Sequence, residues 1–206
     1  MGPETRSATS RKPAHTDPLA FVRGWLRSPK AVGGPFASSI WTAERIAEVT
    51  LDAACDNDAP VIELGAGTGP ITEALLRAGC PLDRLVVVER DPGLCSFLEE
   101  RFPGLRVVNG DALRLRDTLA EGRVRSARVV LSGLPMRVVP AAGAARLYSD
   151  AFELMPPGGA IIQYTYGLRS PLDPSVVEGL DLSATFVGRE WRNLPPMAVW
   201  RYQKRA

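Results

Sequence analysis

The 206-residue sequence has one histidine, three cysteines and no long hydrophobic run. The histidine, His15, lies in a terminal stretch rich in Ser, Pro and Arg, so a histidine-ligated metal site is not expected. The cysteines Cys55, Cys80 and Cys95 lack the spacing of metal ligands, and their odd number is typical of reduced thiols. Neither a run of roughly 18 apolar residues, which a transmembrane helix needs, nor a signal peptide is recognisable. These absences predict a cytoplasmic protein without a metal.

Charges of both signs are almost balanced, but they are unevenly distributed along the chain. The sequence has 25 Lys and Arg residues against 23 Asp and Glu residues, a net charge of +2. Residues 1–30 hold six of the cations and two of the anions, which leaves 19 cations and 21 anions in the remainder. So small a net charge does not indicate a nucleic-acid-binding protein. The basic N-terminal segment is the part that we expect to meet an anionic partner.

From residue 60 onward, apolar strands alternate with helical segments. Strands are predicted over 60–64, 84–89, 105–110, 127–133 and 160–166, helices over 70–79, 92–102 and 144–155, and a closing hairpin over 183–191 and 197–203. Runs of Val, Ile and Leu without alternation are typical of strands buried on both faces. The pattern therefore predicts an α/β fold, with a doubly wound parallel sheet and a late antiparallel strand. The charged segment 113–126 is assigned no element.

The segment "ELGAGTG" (63–69) joins the first strand to the first helix of this pattern. Gly65 and Gly67 allow a tight turn and bring backbone N–H groups close to a ligand. Glu89 ends the next strand, and an acid at that position suits ribose hydroxyls. Strand, glycine loop, helix and acid together predict a nucleotide-type cofactor, either a dinucleotide or S-adenosylmethionine.

Four motifs in order resemble those of the class I S-adenosylmethionine-dependent methyltransferases: "ELGAGTG", "VVVERD", "NGDAL" and "LSGLPM", followed by "LMPPGG". The resemblance implies a Rossmann-like, seven-stranded sheet with an antiparallel last strand. It implies that Glu63 lies near the methionine ammonium, Glu89 on the ribose, and Asp111 and Ala112 beside the adenine. The cofactor residues implied are Ser38, Ser39, Glu63, Gly65, Gly67, Thr68, Glu89, Arg90, Asp111, Ala112 and Ser132.

Residues 60–115 and "GLPM" also resemble the ribosomal-RNA adenine dimethylases. That family has Asn-Leu-Pro followed by Tyr or Phe, where the Asn holds an exocyclic amine and the ring stacks on the base. This chain has Gly133-Leu134-Pro135-Met136 at that point, after Ser132, and so lacks both the amide and the aromatic ring. Outside residues 1–30 there is no basic excess to hold phosphates. An adenine N6-dimethyltransferase therefore stays an alternative, and no nucleic acid partner is expected.

A longer resemblance is to the bacterial soluble phospholipid N-methyltransferases. "FVRGWLRSPKAVGGPFASS" (21–39) precedes the glycine loop as in that family, although Ala37 replaces the Pro that commonly precedes the Ser-Ser pair. The resemblance implies an enzyme that transfers methyl groups from S-adenosylmethionine to phosphatidylethanolamine and its methylated intermediates, toward phosphatidylcholine; we expect a monomer. S-adenosylhomocysteine is then the second product.

Residues 17–27 form an amphipathic helical pattern. On a helix, the apolar side chains occupy one arc about 160° wide, with cations at its edge. The residues concerned are Leu19, Phe21, Val22, Arg23, Trp25, Leu26, Arg27 and Lys30. Such a helix is typical of one lying in the interface of an anionic membrane, and packing on the protein's own domain is the alternative. We expect a peripheral protein on the inner face of the cell membrane.

An acceptor ammonium that gains methyl groups is best held by aromatic faces, which tolerate those groups. Candidates are Trp41, Tyr148, Tyr164 and Tyr166. Alternation along the strand places Tyr164 and Tyr166 on one face, and we expect these two and Ser132 to orient the amine. Arg137 and Arg169 are the candidates for the lipid phosphate, and Met136 occupies the position of the stacking aromatic.

The sequence thus predicts three regions. Residues 1–15 form a disordered tail, residues 16–58 an amphipathic helix and lid region, and residues 59–206 the methyltransferase domain. A catalytically silent S-adenosylmethionine-binding membrane module is the remaining alternative to an enzyme.

Overall fold

The computed structural model describes residues 40–54, 58–166, 169–192 and 195–205. Its strands are β1 (Val61–Leu64), β2 (Leu85–Glu89), β3 (Arg106–Asn109), β4 (Val129–Ser132), β5 (Ala160–Thr165), β6 (Leu182–Glu190) and β7 (Met197–Lys204). Its α-helices are α1 (Ile40–Ala54), α2 (Pro70–Arg77), α3 (Pro92–Arg101), α4 (Leu115–Glu121), α5 (Ala141–Glu153) and α6 (Pro174–Gly179).

The seven strands form one sheet in the order β3-β2-β1-β4-β5-β7-β6. β7 is antiparallel to both of its neighbours, and the other strands run parallel. The predicted α/β fold with a seven-stranded sheet and an antiparallel last strand is confirmed. β1, β2 and β4 are buried at every residue, because helices cover both faces of the sheet.

Two hydrophobic cores lie on opposite faces of the sheet. Ile62 faces the core formed with α4, α5 and α6, whereas Val61 faces the core formed with α1, α2 and α3. Successive strand residues point to opposite faces, so Glu63 shares the side of Val61. This alternation decides which helices surround each polar residue at the ends of the strands.

Helix α1 corrects the predicted division of the chain at residue 58. Ile46 and Ala47 are fully buried in the core on the α1 side, so residues 40–54 are part of the α/β unit and not a lid outside it. Helices α4 and α6 were also missed. In α4, Leu115 and Leu119 are buried one helical turn apart, a spacing hidden among the charges of the segment 113–126.

Several predictions concern residues outside the described ranges. These are the disordered tail 1–15, the amphipathic helix with its membrane-binding residues, and the cofactor residues Ser38 and Ser39. For the part of the chain that the structure describes, no helix has both the length and the apolar character to cross a bilayer.

Candidate active site

The glycine loop after β1 and the acid at the end of β2 are joined directly. The Gly67 amide donates a 3.0 Å hydrogen bond to Oε2 of Glu89, and Oε1 of Glu89 accepts bonds from the amides of Arg90 (2.7 Å) and Asp91 (3.0 Å). Gly67 has a φ of +60°, in the left-handed region that favours glycine. A Cβ at this position would meet no atom within 4 Å, so the loop leaves open space beside a fixed carboxylate.

Glu63 is a buried carboxylate that has no cationic partner among the described residues. It is 2% exposed, and its Oε2 accepts a 2.7 Å hydrogen bond from the hydroxyl of Thr72 on α2. Burial raises the pKa of Glu63 from 4.5 to about 7; the bond from Thr72 lowers this pKa, and the nearby charge of Glu89 raises it. Since an unpaired buried carboxylate is costly, a cationic ligand group beside Glu63 would be stabilised.

The predicted cofactor residues Asp111 and Ala112 lie in the loop after β3. Oδ1 of Asp111 accepts a 2.9 Å bond from the amide of Leu113 and so begins the short 3-10 helix Ala112–Arg114. The guanidinium of Arg90 lies 3.9 Å from Oδ2 of Asp111, which links the loops after β2 and β3. Ala112 is buried. These contacts bring the second and third motifs together at the carboxyl edge of the sheet.

Thr68 contacts helix α3 through its backbone. The residue is exposed, and its carbonyl oxygen accepts a 2.7 Å bond from the guanidinium of Arg101. The structure therefore places Thr68 at the rim of the glycine loop.

Gln163 on β5 is a site residue that the sequence reasoning missed. Its side chain is fully buried, and Nε2 donates to the carbonyl oxygens of Ser132 (3.1 Å), Leu134 (3.0 Å) and Tyr164 (3.0 Å). Oε1 accepts from the hydroxyl of Tyr148 at 3.4 Å. Gln163 thereby ties the turn after β4 to the end of β5. The available signal was a single amide within the otherwise apolar start of the strand, "AIIQ".

Tyr164 and Tyr166 pack against the same core, on the α1 side of the sheet, as the alternation predicted. The hydroxyl of Tyr164 lies against Gly133. Burial raises the pKa of Tyr164 above its ordinary range, and the neighbouring Tyr166 and Glu63 raise it further. The Tyr164 phenol is therefore neutral at physiological pH, so it can orient an amine but does not serve as a base.

Ser132 supports the turn after β4. It is almost fully buried, and its Oγ accepts a 3.3 Å hydrogen bond from the amide of Leu134. Its carbonyl oxygen is one of the three that Gln163 holds.

Two predicted acceptor residues are wrong, because their side chains lie in the core. Met136 is 3% exposed, on the 3-10 turn after β4. Tyr148 is fully buried on α5, where it packs edge-to-face on Tyr202 with ring centroids 5.3 Å apart. Neither presents a face to a ligand, since each belongs to the core on the α4 side.

The other three predicted acceptor residues lie at the surface. Arg137 and Arg169 are exposed. Trp41 is 48% exposed, and the guanidinium of Arg192 lies 4.5 Å from the centroid of its ring. That face of Trp41 is therefore covered by a protein cation.

Within the described ranges, no group of three or more His, Cys, Asp or Glu side chains is placed to hold a metal ion. The free thiols of Cys80 and Cys95 are buried, and burial raises the pKa of each.

The fold and the site together define a class I S-adenosylmethionine-dependent methyltransferase. The magnesium protoporphyrin IX methyltransferase of Synechocystis PCC 6803, solved with bound S-adenosylmethionine, has the same fold. The TM-score is 0.62 at 12% identity, over 94% of this chain and 100% of that one. The cofactor of the class is S-adenosylmethionine, and the site fits it because Glu63 lacks a cation and Gly67 leaves open space beside Glu89.

The sequence comparison is more specific. The ornithine lipid N-methyltransferase of Singulisphaera acidiphila is 31% identical over 152 residues, which are 72% of this chain and 78% of that enzyme. The chain belongs to the family of that enzyme. No protein-family profile matches the chain.

Relatives of a second kind match over less of their length. The ribosomal RNA small subunit methyltransferase A of Sinorhizobium fredii is 37% identical over 121 residues, which are 56% of this chain and 38% of that enzyme. The chain thus spans well under two thirds of that enzyme.

Proposed function

We propose that this protein is a membrane-associated N-methyltransferase that acts on the amine of a lipid headgroup. The proposed substrates are phosphatidylethanolamine and its methylated intermediates, toward phosphatidylcholine. The observation that carries the proposal is the match to a lipid N-methyltransferase over 78% of that enzyme, against 38% and 58% of two ribosomal RNA enzymes. Because the relative is named for ornithine lipid, that lipid is the second candidate substrate.

The proposed cofactor contacts come from three loops at the carboxyl edge of the sheet. Glu89 is oriented by three backbone amides and would hold the ribose hydroxyls, while Asp111 and Ala112 would flank the adenine. Glu63 would pair with the ammonium of the methionine part, which offsets the cost of its burial. S-adenosylmethionine supplies the methyl group when it is bound.

Methyl transfer needs an oriented acceptor more than a strong catalyst. The bound ammonium would first lose a proton to water, which frees the lone pair of the nitrogen. That lone pair would then form the bond to the methyl carbon as the carbon–sulfur bond breaks and the sulfur keeps the electron pair, leaving S-adenosylhomocysteine and the methylated ammonium. The rings of Tyr164 and Tyr166 would hold the ammonium by cation–π attraction, which persists as methyl groups are added.

Membrane association would begin at the basic N-terminal segment. An exposed aromatic surface of the described residues supports this proposal, because Trp41 and Trp191 are both exposed and each has an arginine guanidinium over its ring, at 4.5 and 5.3 Å. Aromatic rings with flanking cations suit the headgroup region of an anionic leaflet. A monomer on the cytoplasmic side, without a nucleic acid partner, completes the proposal.

The test is methyl transfer from labelled S-adenosylmethionine by the full chain. The acceptors are vesicles of phosphatidylglycerol with phosphatidylethanolamine, vesicles with ornithine lipid in its place, and small ribosomal subunits. Methylated phosphatidylethanolamine supports the proposal, and product from ornithine lipid alone selects the second candidate. Product from ribosomal RNA alone, or bound cofactor without transfer to any acceptor, overturns it.

The membrane part is tested on the same vesicles with Trp25→Ser/Leu26→Ser in the full chain. We expect weaker co-sedimentation with the vesicles and a lower rate. Unchanged sedimentation and rate would assign that segment to packing on its own domain.

A further inference from the structure

The turn after β4 lies close to the end of β5 at Gly133. A Cβ at this position would lie 2.6 Å from the hydroxyl oxygen of Tyr164 and 3.2 Å from its Cζ. The φ of Gly133 is not positive, so no left-handed backbone conformation requires a glycine here. The glycine is therefore required by the position of Tyr164 and not by the turn itself.

This contact lies at the glycine loop. The amide of Gly133 donates a 3.1 Å bond to the carbonyl oxygen of Leu64, the last residue of β1. The same Cβ would lie 3.4 Å from the carbonyl oxygen of Gly65. The phenol hydroxyl is thus delivered to the point where the first motif and the turn after β4 meet.

The turn is held in this position from the other face of the sheet. Gln163 precedes Tyr164 on β5 and donates to the carbonyl oxygens on both sides of Gly133, those of Ser132 and Leu134. Consecutive residues of one strand therefore fix Gly133 from two sides, so the distance between Gly133 and the Tyr164 hydroxyl is set by rigid structure.

We propose that Gly133 and Tyr164 together form the acceptor-amine subsite, in which the glycine admits the phenol hydroxyl and the hydroxyl oxygen accepts a hydrogen bond from an aliphatic amine. This inference rests on the proposed function and specifies its acceptor chemistry. The transfer is the one written above, and Tyr164 orients the nitrogen without taking its proton.

The selectivity follows from what the subsite offers. A neutral phenol supplies one acceptor oxygen, and its ring face tolerates an ammonium that gains methyl groups. A nucleobase amine needs a stacking surface for its flat ring as well. The residue in the stacking position, Met136, is buried in the core and gives none. The subsite therefore favours an alkyl ammonium over an adenine.

The test uses Tyr164→Phe, Gly133→Ala and the double variant in the full chain. Gly179→Ala is the matched control, since a Cβ at Gly179 meets no atom within 4 Å and its φ is not positive. The assays measure kcat and KM on vesicles of phosphatidylethanolamine. Calorimetry measures S-adenosylmethionine affinity, and a further titration measures the affinity of short-chain phosphatidylethanolamine for protein loaded with S-adenosylhomocysteine. A melting curve reports folding.

We expect Tyr164→Phe to lower kcat about tenfold or more and to weaken lipid binding roughly fivefold, with cofactor affinity and melting temperature nearly unchanged. Gly133→Ala should lose at least as much activity, because the new methyl displaces the hydroxyl. The double variant should match Tyr164→Phe, since the hydroxyl that the alanine displaces is already absent.

Full activity of Tyr164→Phe on vesicles that the unmodified protein methylates would overturn this inference alone. The inference would also be overturned if the double variant lost activity by the product of the two single-variant factors. An unmodified protein that methylates ribosomal subunits and not vesicles would overturn the proposed function, and this inference with it.

Discussion

The backbone amide of Gly67 donates a 3.0 Å hydrogen bond to the carboxylate of Glu89, 22 residues further along the chain. This bond joins the glycine loop after β1 to the end of β2 before any ligand binds. The same oxygen keeps a second lone pair that can accept a bond from a hydroxyl, so the carboxylate that orders the loop is also the proposed partner of the ribose.

Glu89→Ala should therefore weaken S-adenosylmethionine binding by roughly 10- to 100-fold. The estimate corresponds to the loss of one or two hydrogen bonds to a charged group. Titration calorimetry measures the effect, and Glu99→Ala, an exposed acid on α3, is the matched control. Equal affinity in the two variants would contradict the assigned role of Glu89.

Glu63 should make cofactor binding depend on pH. Its pKa is about 7 without a cationic partner, so a cationic ligand group binds best once the carboxyl is ionised. We expect the affinity for S-adenosylmethionine to rise from pH 5.5 to 7. Binding should ionise Glu63, and the proton that Glu63 releases passes to the buffer. Calorimetry in buffers of different ionisation enthalpy detects that proton. The Glu63→Gln variant should bind S-adenosylmethionine more weakly at pH 7.5 and should release no proton.

The same group should affect stability in the opposite direction. Between pH 4.5 and 7, the folded chain keeps a proton on Glu63 that the unfolded chain has lost, so the free energy of unfolding falls as pH rises through this window. Glu63→Gln removes this slope. Above pH 7, and without cofactor, the free energy of unfolding of this variant should exceed that of the unmodified protein by at most about 3 kcal/mol. Urea unfolding of both proteins at pH 5 and at pH 8 measures this effect. If the two proteins differ in free energy of unfolding by the same amount at both pH values, the prediction is contradicted.

Gln163→Leu should lower stability and activity together. It leaves three carbonyl oxygens near the turn after β4 without their shared donor, at a cost of about 2–4 kcal/mol. Because the turn then loses its fixed position, we expect kcat to fall at least tenfold in protein that is still folded. The control is Gln203→Leu, whose side chain makes a single 3.3 Å bond to the carbonyl oxygen of Gly158. A normal kcat in folded Gln163→Leu would show that the network serves stability alone.

Gly69→Ala should be more destabilising than Gly79→Ala. Both glycines have positive φ, +80° and +96°, so each alanine is strained by about 1–2 kcal/mol. Only at Gly69 would the Cβ also collide, at 2.8 Å from Leu98 and Phe102, which adds about 1–3 kcal/mol. Thermal unfolding of the two variants isolates the packing cost, and equal losses would contradict the close packing of α2 on α3.

The positions of the candidate cofactor residues in the fold were predictable because their signals are local. A tight turn needs glycine, and a parallel strand ends where its apolar run ends. Glu63, Gly67 and Glu89 are therefore placed by the segments that carry them. The same reasoning gave the shared face of Tyr164 and Tyr166, since alternation along a strand is a local rule.

The acceptor residues were less predictable because burial depends on what packs from elsewhere. The place of Tyr148 in the sequence of α5 fits an exposed residue as well as a buried one. Its burial depends on a tertiary contact with Tyr202 of β7. Met136 was assigned from its place in a motif, but the short 3-10 turn directs its side chain into the core.

By itself, the sequence determined the order of the strands along the chain, the glycine loop and the acids near the ends of β1 and β2, since these depend on neighbours in the chain. Only the tertiary structure decided that Gln163 and Tyr164 hold the turn around Gly133. That contact requires β5 to lie beside β4 in a register that pairs Ser132 with Gln163. A register between strands 31 residues apart is set by the packing of the whole sheet, so no local pattern encodes it.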